Sequence, residues 1–178
     1  WKYGMLPQRS APLHLIGPVG TKSLLERLAT AHGEWVTAPG YPVHVTELAP
    51  GASLDLGATR LDCTKVPHTP ESMAYSVFHG GRRLVYSGDT GFDAAFAQWA
   101  AGCDLLVLEC SLPKSMAIVE HLTPEQCGEI AHLAAPRMLV LTHLYPPVGS
   151  VDIRALVAER YDGPLVIAQD GWSTDLAD

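Results

Sequence analysis

The sequence predicts an α/β fold in which a mixed β-sheet is covered by helices. Two observations favour this prediction. Short strand-like segments separated by Pro-Gly, Leu-Gly and Gly-Gly turns fill residues 42–85, and helical and strand-like segments alternate after Asp89. The first pattern is typical of an antiparallel meander and the second of β-α-β units. We therefore expect both kinds of strand pairing in one domain over residues 1–178.

The first elements are a strand, a helix and a second strand. Residues 12–17, PLHLIG, are strand-like. Thr21 is in position to cap a helix whose leucines lie on one face, and Gly33 is in position to end it. We expect the segment VHVTELA, residues 43–49, to open the meander.

The later segments complete the meander and then alternate. The other meander strands are GASLDLG, TRLDCTKV, MAYSVFHGG and RRLVYS. After them, FDAAFAQWAAG predicts a helix, whereas DLLVLEC, RMLVLTH and PLVIAQDG predict strands. Between these strands, Thr123 and Gln126 have the spacing of a capping box, with Pro124 at the first helical position. Ser150 is in position to cap the last helix.

Charge, hydropathy and cysteine content exclude several classes of protein. A net charge of −7 argues against an extensive nucleic-acid interface, and the one basic cluster, Arg82 and Arg83, is expected at a solvated hairpin end. No apolar run reaches the roughly 20 residues that span a bilayer, and the first residues do not resemble a signal peptide. The cysteines lack a C-x-x-C pair, which disfavours a disulfide framework and fits a cytoplasmic protein. They are Cys63, Cys103, Cys110 and Cys127.

Three residues of types that bind metals stand after apolar strands. They are His68, Asp89 and His143. Strand ends in an α/β sheet hold side chains in fixed positions, and imidazole and carboxylate groups are ligands of zinc and similar ions. Gly88 and Gly91 flank the aspartate. Because glycine has no side chain, they would leave room for the carboxylate to approach two ions.

Four stretches follow one another in the second part of the chain. They are VPHTPESMAYSVFHGGRRLVYSGDTG, DLLVLECSLP, EHLTPEQCGEIAHLAAPRMLVLTHLYPP and VIAQDGWSTDL. In this order they resemble the C-terminal part of the metallo-β-lactamase superfamily, in its ribonuclease Z-like branch. The resemblance implies an αββα sandwich of mixed sheets flanked by helices. It also implies two divalent metal ions. Zinc is the expected metal, and manganese and iron are the alternatives.

The resemblance also assigns roles to single residues. His68 and His143 correspond to metal ligands and Asp89 to the carboxylate that bridges both ions. His121 corresponds to a catalytic histidine near the scissile phosphate, and Glu109 to the acid that supports it. Here the chain has Leu-Glu-Cys-Ser where the branch usually has His-Glu-Ala-Thr.

The first third of the chain departs from the family pattern. The superfamily's His-x-His-x-Asp-His loop has no counterpart in this sequence. His14, His32 and His44 lack its spacing and are expected to be structural. The resemblance therefore implies a family member that begins just after its metal loop. We expect its missing strands to leave an open sheet edge and exposed apolar surface.

The expected function is metal-dependent hydrolysis of a phosphodiester or another small ester. Processing of tRNA is disfavoured, because the branch's tRNA-binding arm has no counterpart between His68 and Asp89. The expected partner is a small-molecule substrate, with no membrane, and a homodimer is an open alternative to a monomer. Two other functions stay open: a catalytically inert binding or regulatory domain and, more remotely, an aspartic protease, because Asp89 opens an Asp-Thr-Gly string.

Overall fold

The computed structural model describes residues 9–176 of the chain. The chain divides into two compact units, Trp1–Pro50 and Gly51–Asp178. The expected single domain over residues 1–178 stays a prediction. No helix within residues 9–176 is long and apolar enough to cross a membrane.

The first unit contains a two-stranded parallel sheet. Its strands are β1 (Leu13–Pro18) and β2 (Val43–Leu48), and α1 (Thr21–His32) and a 3-10 turn (Glu34–Val36) connect them. The assignment of β2 to the meander was therefore wrong. A strand that returns through a helical crossover can pair in parallel, whereas a hairpin would have made the pair antiparallel.

The start of α1 is capped by a residue distant in sequence. The N-cap is Gly20, in the left-handed conformation, and Thr21 is the first helical residue, so the expected Thr21 cap was wrong. Glu47 on β2 replaces it, because its Oε1 accepts from the backbone N–H groups of Lys22 and Gly20 at 2.9 and 3.0 Å. These two hydrogen bonds hold the pKa of Glu47 below its ordinary value, and the bond from the Lys22 N–H has the larger effect.

The apolar face of α1 is open in the described part of the chain. No residue of this helix is buried, and Leu24 and Leu28 are 48% and 37% exposed. Trp35 in the following turn is 40% exposed.

The second unit is built on a seven-stranded mixed sheet whose spatial order follows the chain order. The first three pairings are antiparallel and the last three are parallel, as expected from the two sequence patterns. The strands are β3 (Ser53–Leu56), β4 (Thr59–Lys65), β5 (Met73–His79), β6 (Arg82–Tyr86), β7 (Leu105–Glu109), β8 (Met138–Thr142) and β9 (Leu165–Ile167).

Three α-helices accompany this sheet: α2 (Ala94–Trp99), α3 (Pro124–Ala134) and α4 (Ile153–Ala158). The capping box of α3 is confirmed, since Thr123 and Gln126 exchange side-chain and backbone hydrogen bonds. The expected Ser150 cap was wrong. Ser150 ends a 3-10 turn, and Asp152 caps α4 by accepting from the N–H of Ala155 at 3.1 Å.

Apolar side chains from strands and helices form one core in the second unit. Val85, Leu106 and Leu139 of the central strands, Phe96 of α2 and Ile130 of α3 are at most 1% exposed. Such packing holds the strand ends in fixed relative positions.

The four cysteines are buried and free, as their spacing predicted. Burial raises the pKa of Cys103 to about 11, and burial raises the pKa of Cys127 well above its ordinary value. Both groups are therefore neutral thiols of the core at neutral pH.

The Arg82–Arg83 pair is anchored rather than solvated, which corrects the expectation. Arg82 Nη1 lies 3.0 Å from Asp104 Oδ1, with 22% of its side chain exposed. The guanidinium of Arg83 lies over the rings of Phe78 and Trp99 and donates to the Trp99 carbonyl at 2.6 Å. These contacts join β5, β6 and α2, so the role of the two arginines is structural.

Asp104 should contribute acid-sensitive stability. The pKa of Asp104 is held below its ordinary value, mainly by the hydrogen bond from the Arg83 N–H. The side chains of Arg137 and Arg82 lower it further. A lowered pKa stabilises the fold above the unfolded pKa of about 4, and this contribution is lost as pH falls through the folded value.

We expect Asp104→Asn to lower the free energy of unfolding at pH 7 by about 1 kcal/mol, since solvent screens part of the interaction. The difference from wild type should shrink below about pH 4. Urea unfolding at both pH values measures it, with the exposed Asp170→Asn variant as control. A difference independent of pH would contradict this account.

Candidate active site

Strand ends of the second unit bring the expected metal ligands together. His68 follows β4, Asp89 follows β6 and His143 follows β8. The carboxylate lies between the two imidazoles: His68 Nε2 is 4.0 Å from Asp89 Oδ2, and His143 Nε2 is 3.5 Å from Asp89 Oδ1. Each oxygen of one carboxylate therefore faces a different imidazole.

The two glycines beside Asp89 satisfy demands of the backbone. Gly88 has a φ of 60°, in the left-handed region. Gly91 donates its N–H to the Pro67 carbonyl at 2.7 Å, and a Cβ at this position would lie 1.9 Å from the Val119 carbonyl oxygen. From the sequence, we expected these glycines to leave room for metal ions. In the structure, Gly88 allows a left-handed backbone conformation and Gly91 allows two backbone segments to approach closely.

The ring of His68 is oriented by the backbone. Its Nδ1 lies 3.0 Å from the carbonyl oxygen of Glu120. A carbonyl only accepts, so Nδ1 carries the proton and Nε2, on the side of Asp89, has a free lone pair. This is the arrangement in which a histidine can bind a metal ion through Nε2.

Glu109 and His121 form a buried pair. Glu109, at the end of β7, is 1% exposed, and its Oε1 lies 2.7 Å from His121 Nδ1 and accepts from the Thr90 N–H at 2.7 Å. Its Oε2 accepts from the Ser111 hydroxyl at 2.6 Å and from the Leu122 N–H at 3.2 Å. All four contacts direct hydrogen-bond donors at one carboxylate, so the Nδ1 proton of His121 is fixed and its Nε2 is left free.

The backbone of His143 has an uncommon conformation. Its φ is 54°, in the left-handed region that residues other than glycine rarely adopt. Its Nε2 is buried and has no hydrogen-bond partner among the described residues. Conformational strain and an unpaired buried nitrogen both concentrate at functional positions.

Aromatic rings pack around these groups. The ring centroid of His121 lies 4.9 Å from that of His68 and 5.6 Å from that of His143. Tyr145 is 4.9 Å from His143 and 5.7 Å from His121. The sequence did not single out Tyr145 or Ser111, although each stands two residues after a residue that it did single out.

The donor set fits a metal ion in chemistry but is incomplete in number. Two Nε2 atoms and a carboxylate suit zinc, and the buried His143 Nε2, which makes no hydrogen bond to the described residues, is the kind of atom that a metal would satisfy. Within residues 9–176, however, no group of three or more His, Cys, Asp or Glu side chains is arranged to hold an ion.

The histidines that were expected to be structural lie in the first unit. His14 and His44 are opposite each other in the β1–β2 register, with ring centroids 5.1 Å apart. His32 ends α1. Their structural role stays a prediction.

Comparison with known sequences gives a consistent family. A family model described as the beta-lactamase superfamily domain matches residues 4–144. The protein Rv1339 of Mycobacterium tuberculosis is 30% identical over 155 residues, which are 85% of this chain and 56% of Rv1339. A ribonuclease Z of Mycolicibacterium gilvum is 28% identical over 185 residues, covering 89% of this chain and 64% of that protein. The chain thus spans 56 to 64% of the length of these two relatives.

Comparison with solved structures gives the fold. The metallo-beta-lactamase fold protein YhfI of Bacillus subtilis superimposes with a TM-score of 0.77 at 22% identity, over 96% of this chain and 68% of that one. The expected α/β class with mixed sheets and flanking helices is confirmed.

The close approach at Gly91 makes a testable demand on stability. We expect Gly91→Ala to lower the free energy of unfolding by about 1–3 kcal/mol, because the new methyl group would press on the Val119 carbonyl. The control is Gly149→Ala, where a Cβ would meet no atom within 4 Å. Urea unfolding compares the two variants, and equal stabilities would refute the close approach.

Proposed function

The chain belongs to the beta-lactamase superfamily, and from this premise we propose that its second unit carries ligands and a proton donor of a metal-dependent hydrolase. The proposed substrates are a phosphodiester or another small ester. The observation that carries the proposal is the position of Asp89, whose two oxygens face His68 and His143 at 4.0 and 3.5 Å.

The proposed metal ligands are His68 and His143, through Nε2, and Asp89, through both oxygens. Zinc suits this set best, with manganese or iron as alternatives. Two divalent ions, when bound, would supply Lewis-acid activation of water and of the ester. The described residues contribute three ligands, and a two-ion centre would need further donors in addition to these three.

His121 is the proposed proton donor. Glu109 holds the Nδ1 proton at 2.7 Å, so a second proton, taken up from solvent, would be carried on Nε2 and would be the one passed to the leaving oxygen. Its place beside the rings of His68 and His143 supports transfer to the leaving oxygen. Glu109 acts through His121 and is a positioning residue.

A small substrate is favoured over a large nucleic acid. Between His68 and Asp89 the chain contains only β5 and β6, joined at Gly80 and Gly81. The net charge of −7 opposes extensive contact with phosphate backbones. The matched relatives include a protein named ribonuclease Z, which agrees with phosphodiester chemistry in general.

The aspartic protease is not retained as a candidate. Its Asp-Thr-Gly string belongs to an all-β lobe and works as a pair. Here Asp89 stands between a mixed sheet and α2, and it faces two histidines.

The proposal is tested by measuring zinc or manganese affinity and hydrolysis of bis(p-nitrophenyl) phosphate by the purified chain. We expect the chain to bind metal through this set, and Asp89→Asn should lower the metal affinity by about 100-fold or more. Any turnover should depend on the metal, be removed by a chelator and fall in Asp89→Asn to the same extent. Glu71→Gln, which changes an exposed carboxylate near His68, is the matched control. Metal binding without hydrolysis of any ester would favour the inert binding domain, and absence of both would refute the proposal.

A further inference from the structure

Ser111 joins three segments of the candidate site. It is completely buried and follows β7 by two residues. Its N–H donates to the Leu122 carbonyl at 3.1 Å, and its carbonyl accepts from the Tyr145 N–H at 3.3 Å. The segments after β7, before α3 and after β8 are therefore hydrogen-bonded to this one residue.

The hydroxyl of Ser111 lies among groups from all three segments. Its Oγ is 2.6 Å from Glu109 Oε2, 3.2 Å from the His143 carbonyl and 3.3 Å from His121 Nδ1. A hydroxyl has a single proton, and the shortest contact leads to the carboxylate, which is the stronger acceptor. The His143 carbonyl shares that proton in a longer, bifurcated contact.

The hydroxyl prevents the Glu109 carboxylate from rotating. The terminal torsion of a glutamate is soft, so donors on both oxygens are needed to fix its plane. Thr90 and His121 hold Oε1, whereas Oε2 is held by Ser111 at 2.6 Å and by the Leu122 N–H only at 3.2 Å. Without the hydroxyl, Oε2 retains only the longer bond, and the acceptor that orients His121 can tilt.

The same hydroxyl restrains His143. This residue holds a left-handed backbone conformation that its neighbours must maintain. The contact from Ser111 Oγ to its carbonyl is one restraint, and the Tyr145 N–H to the Ser111 carbonyl is a second restraint two residues further on.

We propose that Ser111 is a positioning residue whose hydroxyl couples the orientation of His121, through Glu109, to the backbone of His143. As a statement about catalysis this rests on the proposed function, whereas the coupling itself is a property of the folded chain. Threonine keeps the hydroxyl, cysteine keeps the size with a weak donor, and alanine removes the donor.

The coupling is tested by NMR on the Nδ1 proton of His121, which lies in a buried hydrogen bond to Glu109. Ser111→Ala and Ser111→Cys should increase its exchange with water by about tenfold, whereas Ser111→Thr should retain the wild-type rate. Ser115→Ala, an exposed serine of the same loop, is the control. Thermal unfolding of each variant identifies any that fails to fold.

Hydrolysis provides the second readout. Loss of the hydroxyl should lower kcat about 10- to 100-fold with KM nearly unchanged, as expected for loss of support behind a catalytic group, and Ser111→Thr should restore it. Unchanged proton exchange in Ser111→Ala, or equal loss in the alanine and threonine variants, would overturn the proposal. The two proposals can fail separately. If the Nδ1 proton of His121 is protected from exchange in wild type and exposed in Ser111→Ala, but neither protein hydrolyses an ester, the coupling is supported and the proposed function is refuted.

Discussion

The candidate site depends on one buried carboxylate. Glu109 has only 1% of its surface exposed and would be costly to bury without partners. Its partners include the N–H of Thr90, next to Asp89, and the ring of His121. The demand for donors around this group therefore brings the loops after β6 and β7 and the segment before α3 together, and it positions two of the expected functional residues.

The topology of the second unit explains why these loops meet at one edge of the sheet. β6, β7 and β8 are parallel neighbours, so their carboxyl ends lie at the same edge of the sheet. Asp89, Glu109 and His143 stand at or just after these three ends. The antiparallel pair β5–β6 brings the chain back from His68 to that edge in a short hairpin.

Among the local patterns, the capping box of α3 was predictable from the sequence and the Asp152 cap of α4 was missed. The capping box at Thr123 and Gln126 lies within four residues and was found correctly. The cap of α1 was missed because Glu47 provides it from the opposite strand. The candidate ligands were identifiable because each follows an apolar strand, whereas Ser111 was noted only as the serine at the threonine position of the branch's His-Glu-Ala-Thr motif. Its importance arises from polar partners 2, 10 and 32 positions away.

The protons of the site are arranged before any ligand binds. His68 commits its Nδ1 proton to the Glu120 carbonyl and His121 commits its own to Glu109, so both rings have Nε2 as the free nitrogen. Neither ring needs to choose a tautomer on binding, which would remove one reorganisation from the proposed reaction. His143 differs, because its buried Nε2 makes no hydrogen bond within residues 9–176, with Asp89 Oδ1 at 3.5 Å, and its backbone is left-handed. A buried polar atom without a hydrogen bond costs free energy, so His143 is the least satisfied of the three histidines and the one whose environment a bound ligand would change most.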